Sequence, residues 1–103
     1  MKLLNINYVP GAEIEALGMV KGTVVYSKNF GRDFMASMKT LVGGEIVGYT
    51  EMLKEARQIA VKRMVDEAEA LGADAVIGVT YGSAEIMSGA AECIAYGTAV
   101  RIV

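Results

Sequence analysis

The chain of 103 residues carries a formal charge of −2, with 53% hydrophobic and 21% charged residues, one Cys, no His and no Trp. One domain over residues 1–103 is expected, with room for a single core. The composition excludes a Ser/His/Asp triad, a Cys/His pair and any multi-His or multi-Cys zinc site within one subunit. So few charged residues are available to cover a small domain that a second buried face, and hence an oligomer, is expected. The basic residues are scattered, which argues against a nucleic-acid partner. Asn5 and Asn7 interrupt the first apolar residues, which argues against a signal peptide or membrane span. A cytoplasmic protein is expected, and a single Cys93 fits a reducing compartment.

Residues 3–8 read as a short strand closed by Pro10-Gly11. Residues 14–26 are rich in β-branched and apolar types and predict a strand, in which Gly18 and Gly22 mark a bulge or a close backbone contact. In 32–42, Phe34, Met35, Met38, Leu41 and Val42 recur at helical spacing, which predicts a short helix ended by Gly43-Gly44. A long helix is expected over about 50–71, with Thr50 as N-cap and Gly72 as C′ residue. Its apolar stripe is Leu53, Ala56, Ala60, Met64, Ala68 and Leu71.

Residues 73–87 and 90–103 read as a hairpin about Ser88-Gly89. A two-residue loop pairs Tyr81 with Tyr96, Val79 with Thr98 and Glu85 with Glu92. One face then carries Ile77, Val79, Tyr81, Ile94, Tyr96, Val100 and Ile102. The other is nearly all small, with Gly78, Gly82, Cys93, Ala95, Gly97 and Ala99 among its residues. Small side chains admit a helix at close range, so the long helix belongs on that face. The bulky face needs another subunit or the N-terminal strand to cover it.

Asn29-Phe30, Arg32-Asp33-Phe34, Val42-Gly43-Gly44, Tyr49, Ala56-Arg57, the run Leu71 to Val79 and Tyr96 to Val100 together resemble the YbjQ-like family, whose label is heavy-metal binding. The resemblance spans nearly the whole chain. It implies an α+β fold: a two-layer β-α-β-β subunit of the dodecin-like class with a three-stranded, mainly antiparallel sheet. Its strand order is 1-3-2, and the subunits form a ring pentamer. This chain departs from the family pattern at Glu45, where members often carry a basic residue after the double glycine.

A heavy-metal site needs soft ligands, and only Cys93 and seven Met qualify. Cys93, flanked by small residues, reads as core filler. Glu85 and Glu92, if opposed, would repel unless a cation, a proton or water separated them, which makes them the metal candidates. Gly43 and Gly44 offer backbone N–H groups to an anion, or simply a cap and turn. Arg32, Asp33, Tyr49 and Arg57 are polar groups beside apolar segments, suited either to a ligand crevice or to a subunit contact. Three functions compete: a non-catalytic ring-forming module binding a metal or small molecule at subunit crevices, an enzyme with sites assembled between subunits, and a structural scaffold. No cofactor is specified.

Overall fold

The computed structural model describes residues 1–27, 41–42, 45–87 and 90–103. In chain order the elements are β1 (Lys2–Leu3), β2 (Ile14–Ser27), β3 (Leu41–Val42), β4 (Glu45–Ile46), α1 (Val47–Ala70), β5 (Ala75–Met87) and β6 (Ala90–Ile102). The fold is α+β, one long helix on a four-stranded mixed sheet of order β1-β5-β6-β2. The expected order of the three long strands holds. The expected three-stranded sheet gains a fourth strand, because Lys2 and Leu3 pair parallel with Ala75 and Val76. The strand expected over 3–8 is therefore shorter. Beyond it the chain still follows β5, since the Leu4 N–H donates to the Val76 carbonyl and the Gly78 and Val79 N–H groups donate to the Ile6 and Leu4 carbonyls, each at 2.9 Å.

The short helix expected over 32–42 is contradicted at its end, where Leu41 and Val42 are a strand paired with Ile46 and Glu45. The cap expected at Gly43-Gly44 and residues 28–40 lie outside the described residues. The long helix begins at Val47, so Thr50 lies inside it and is not its N-cap. Val47 and Gly48 are poor helix residues, but adding residues to an established helix gains one hydrogen bond each. The C-terminus is as expected. Gly72 has φ +77°, its N–H donates to the Glu69 carbonyl at 3.0 Å, and the Ala73 N–H reaches back to the Ala68 carbonyl at 3.1 Å. These two bonds form a Schellman motif.

The buried helix positions are Met52, Ala56, Ala60, Met64 and Ala68, one every four residues. Such a row is inclined to the helix axis by about 26° and seats the helix obliquely on a twisted sheet. Leu53 is only half-buried and Leu71 exposed, so both leave the expected stripe, and Met52 replaces them. From Ala56 to Ala68 the row packs on Val20, Val76, Cys93, Ala95 and Ala99. The small face of β6 does receive the helix. Contact is tightest at Gly22, where a Cβ would meet the Ala60 carbonyl oxygen, the Met64 amide nitrogen and, at 2.9 Å, the Arg63 carbonyl carbon. Gly18, with φ +139°, sits at the β2 bulge. Both glycine roles expected in this strand are thus present, one at each position.

The hairpin closes as expected at Met87↔Ala90, but two irregularities then shift the register. Ile86 is an extra residue near the tip, so Glu85 opposes Ala91 and Glu92 opposes Ala84. Further in, Gly78 at φ +62° and Val79 together occupy the space opposite Gly97, a bulge of the glycine-first type. Gly97 is needed there because a Cβ would lie 2.8 Å from the Ile77 carbonyl oxygen and from Val76 Cγ1. The expected pairs Tyr81↔Tyr96, Val79↔Thr98 and Glu85↔Glu92 do not form. Tyr81 pairs with Ala95 and Thr80 with Tyr96. Each one-residue slip exchanges the faces.

The expected bulky face is therefore divided. Val79 packs toward the helix with the main core, while Ile77 and Val100 stay on the opposite, open side. There Val9 covers them, 3% exposed and packed with Ala75, and Leu4, Ala12 and Ile14 lie alongside. The N-terminal segment thus supplies the cover for one end of the open side. The other end is bare among the described residues, and includes Met19 (79% exposed), Val25 and Tyr96.

Candidate functional site

Relative to its core row, α1 has two flanks with different tasks. On the β2 flank, Arg63 Nη1 donates to the Thr23 carbonyl at 2.6 Å, and Glu67 Oε1 accepts the Lys21 N–H at 3.3 Å. On the other flank, Lys54, Arg57, Gln58, Val61 and Lys62 line an open depression of about 380 Å³, closed on the sheet side by Tyr81. These five helix positions fall at i, i+3, i+4, i+7 and i+8, one continuous strip of helix surface. Tyr81 reaches it only because the Gly78 bulge moves the side chains beyond it by one position, which brings Tyr81 to the helix side opposite Ala95.

Lys62 Nζ bonds both oxygens of Asp66 at 3.2 Å, an exposed i, i+4 pair that orients the ammonium and adds little stability. Among the described residues neither Lys54 nor Arg57 makes an ion pair. The α1 sequence holds four basic and five acidic residues, yet the depression is lined by three of the basic and none of the acidic ones. A lining of two ammonium groups, a guanidinium, an amide and a phenol offers hydrogen-bond donors to negative charge. It offers no thiolate, imidazole or carboxylate to a cation.

Of the candidate residues read from the sequence, Arg57 lines this depression. Tyr49 lies in the first turn of α1, eight residues and about 12 Å of helix rise away from Arg57. Arg32, Asp33, Gly43 and Gly44 fall outside the described residues. Glu85 and Glu92 are not opposed, and because their rows are adjacent in the ladder they sit on opposite faces of the sheet. The cation site expected between them is not formed. Cys93 is buried under the helix with Val20, Ala56 and Ala95. Among the described residues no three His, Cys, Asp or Glu side chains are placed to hold a metal ion. Tyr81, Lys54, Gln58 and Lys62 went unread. The glycine inside the strand at Gly78 was the available signal for Tyr81, since an interior glycine often marks a bulge.

Among the described residues this architecture is a two-layer α+β fold with one helix across a mixed sheet. The same fold occurs in a crystal structure of a protein of unknown function from Pediococcus pentosaceus ATCC 25745 assigned to the DUF74 family, with a TM-score of 0.69 at 19% identity over 100% of this chain and 98% of that one. The chain belongs to the YbjQ-like family, whose model, described as "Putative heavy-metal-binding", matches residues 1–103. It is 56% identical over 102 residues to a UPF0145 protein of Clostridium novyi (strain NT), covering 99% of each chain. It is 61% identical over 103 residues to a UPF0145 protein of Thermotoga maritima, covering 99% of this chain and 97% of that one. The donor set of the described residues does not fit the family description, because the one thiol is enclosed in the core and carboxylates are dispersed. No described helix is long and apolar enough to cross a membrane.

Proposed function

We propose that the protein is a non-catalytic, cytoplasmic module that closes into a homo-oligomeric ring and holds a small ligand in crevices on or between its subunits. The observation that carries this reading is the surface of the single subunit. The chain exposes 6567 Å², against about 5,600 Å² for a compact monomer of its mass. The excess, about 1,000 Å², is of the size that one partner buries in a standard interface, about 800 Å². Shape agrees: the radius of gyration is 16.4 Å and the extents are 50 × 29 × 17 Å, where about 13 Å is usual for 100 residues.

The bare end of the open side, around Tyr96, Val25 and Met19, is the surface we assign to the neighbouring subunit. A head-to-tail contact there shields the apolar side chains, and ring closure leaves no end exposed to grow into fibres. The family resemblance supplies the number five. Among the described residues no constellation favours bond-making chemistry over binding.

Sedimentation equilibrium of the parent and of Tyr96→Arg tests this. Tyr96 lies in the same cross-strand row as Lys21, so an arginine there adds like charge to the contact. The parent is expected as a discrete ring and the variant as smaller species. A parent mass near 10.9 kDa refutes assembly, and a ring of another size refutes only the number. An unaffected Tyr96→Arg ring moves the interface elsewhere.

A further inference from the structure

We infer that the depression between α1 and Tyr81 binds a flat organic anion, an aromatic body carrying one phosphate or carboxylate group. The inference rests on reading the protein as a small-ligand module, and it names the chemical class and the place. It does not require the ring.

Three features of the site select this class. Its polar groups are of one kind: Lys54, Arg57 and Lys62 are cationic, and Gln58 and Tyr81 add an amide and a hydroxyl donor, without an acidic side chain in the lining. Lys62 is paired with Asp66, so on a helix whose acids outnumber its bases the positive charge at the site rests on Lys54 and Arg57. Second, the walls between those heads are apolar, formed by Val61, the ring of Tyr81 and the methylene stems of the two lysines. A bare inorganic anion would leave them unused, whereas a flat ring can lie on the Tyr81 ring with its charge toward Arg57. Third, the depression is open, so a flat ligand would lie against it with one face in solvent, and its volume of about 380 Å³ is near the lower end of small-molecule sites, roughly 300–1,000 Å³.

Arg57 is the anchor of the charged group, because its planar fork can take two oxygens of a phosphate or carboxylate side by side. Lys54, three residues earlier on the helix, contributes a second charge. Lys62 is held by Asp66 at the far rim and marks where the apolar body ends. Tyr81 is the stacking surface, 55% exposed and held on a strand rather than a loop.

Calorimetric titration of the full-length assembled protein tests the assignment, with adenosine 5′-monophosphate and 1-naphthoate as the two probes, and adenosine and inorganic phosphate as the half-ligands. At least one probe is expected to bind at submillimolar concentration, and each half-ligand at least about tenfold more weakly. Binding of only the phosphate probe or only the carboxylate probe assigns the charged group. Arg57→Ala is expected to weaken the probe at least about tenfold. Tyr81→Leu weakens the probe while leaving inorganic phosphate unchanged. Both residues are exposed, so neither variant tests folding. The inference is overturned if neither probe binds at millimolar concentration, if adenosine binds as well as its monophosphate, or if Arg57→Ala binds like the parent. The same titration on Tyr96→Arg separates the two readings: probe binding by a dissociated variant leaves this site standing on the single subunit, and an intact ring without probe binding removes the site alone.

Discussion

The two long edges of the sheet are treated in opposite ways. Along β2 the helix comes so close at Gly22 that its own side chains reach the strand's outward groups. Arg63 takes the Thr23 carbonyl and Glu67 takes the Lys21 N–H. Along β5 the N-terminal segment accompanies the strand as far as Val79. From Thr80 to Met87 every residue but the half-buried Gly82 is exposed. Unpaired strand edges are templates for adding another chain, and proteins commonly blunt the ones they do not use. Among the described residues, charged helix side chains blunt β2 and nothing pairs with the outer half of β5, so the two edges are differently available to another chain.

The largest expected effect comes from closing the gap at Gly22. Gly22→Ala places a methyl group against helix backbone, and the helix must lift away from both the core and the β2 edge. A loss of about 3 kcal/mol or more is expected, a fall in Tm of at least about 12 °C for a domain of this size. Gly82→Ala on the β5 side meets only Ile94 Cγ2 at 3.0 Å, the end of a side chain, and should cost less than about 1 kcal/mol. Thermal unfolding of the two variants side by side measures the contrast, and equal melting would show that the helix does not press on β2 as described.

Arg63→Ala removes one edge guard without touching the core. Its bond is solvent-exposed, so a loss of about 1 kcal/mol is expected, together with faster amide exchange confined to β2. Hydrogen exchange by NMR checks this, and exchange that accelerates throughout the sheet would mean that the guard is part of the core instead.

The smallest effect concerns Glu85 and Glu92. Because they occupy opposite faces, Glu85→Ala and Glu92→Ala should be additive to within about 0.5 kcal/mol in a double-mutant cycle. A coupling of about 1 kcal/mol or more would return the two carboxylates to a shared row and would erase the bulge at Ile86.

Much of the architecture was legible because it obeys simple periods. The i, i+4 recurrence through Ala56, Ala60, Met64 and Ala68, the glycine at 72 and the small residues of β6 each have one economical reading. Gly22 and Gly18 were legible as the two exceptional points of β2, though not which was the bulge. The placement of Tyr81 was not legible. A bulge costs one residue of phase, and the sequence from Val76 to Gly82 contains two glycines without stating which of them is extra. The N-terminal cover was also hidden, since Asn5, Asn7 and Pro10 give residues 4–12 no period, and their order comes from hydrogen bonds to β5 and from Val9. Arg57 could be singled out as a polar residue beside an apolar stripe. Its neighbours in space come from a strand whose phase had first to be known.

The bulge at Gly78 can be described as an inverter. An extended chain stores one bit per residue, up or down, and its alternation cannot change unless a residue is inserted or removed. Gly78 flips that bit midway along β5, so a single strand serves the N-terminal cover through Ile77 and the helix through Val79. Deleting this one glycine would remove the bulge yet keep Val79 opposite Gly97 and Tyr81 opposite Ala95, because Gly78 is the residue that the partner strand leaves unmatched; the inversion is written into the length of β5 and not into any side chain.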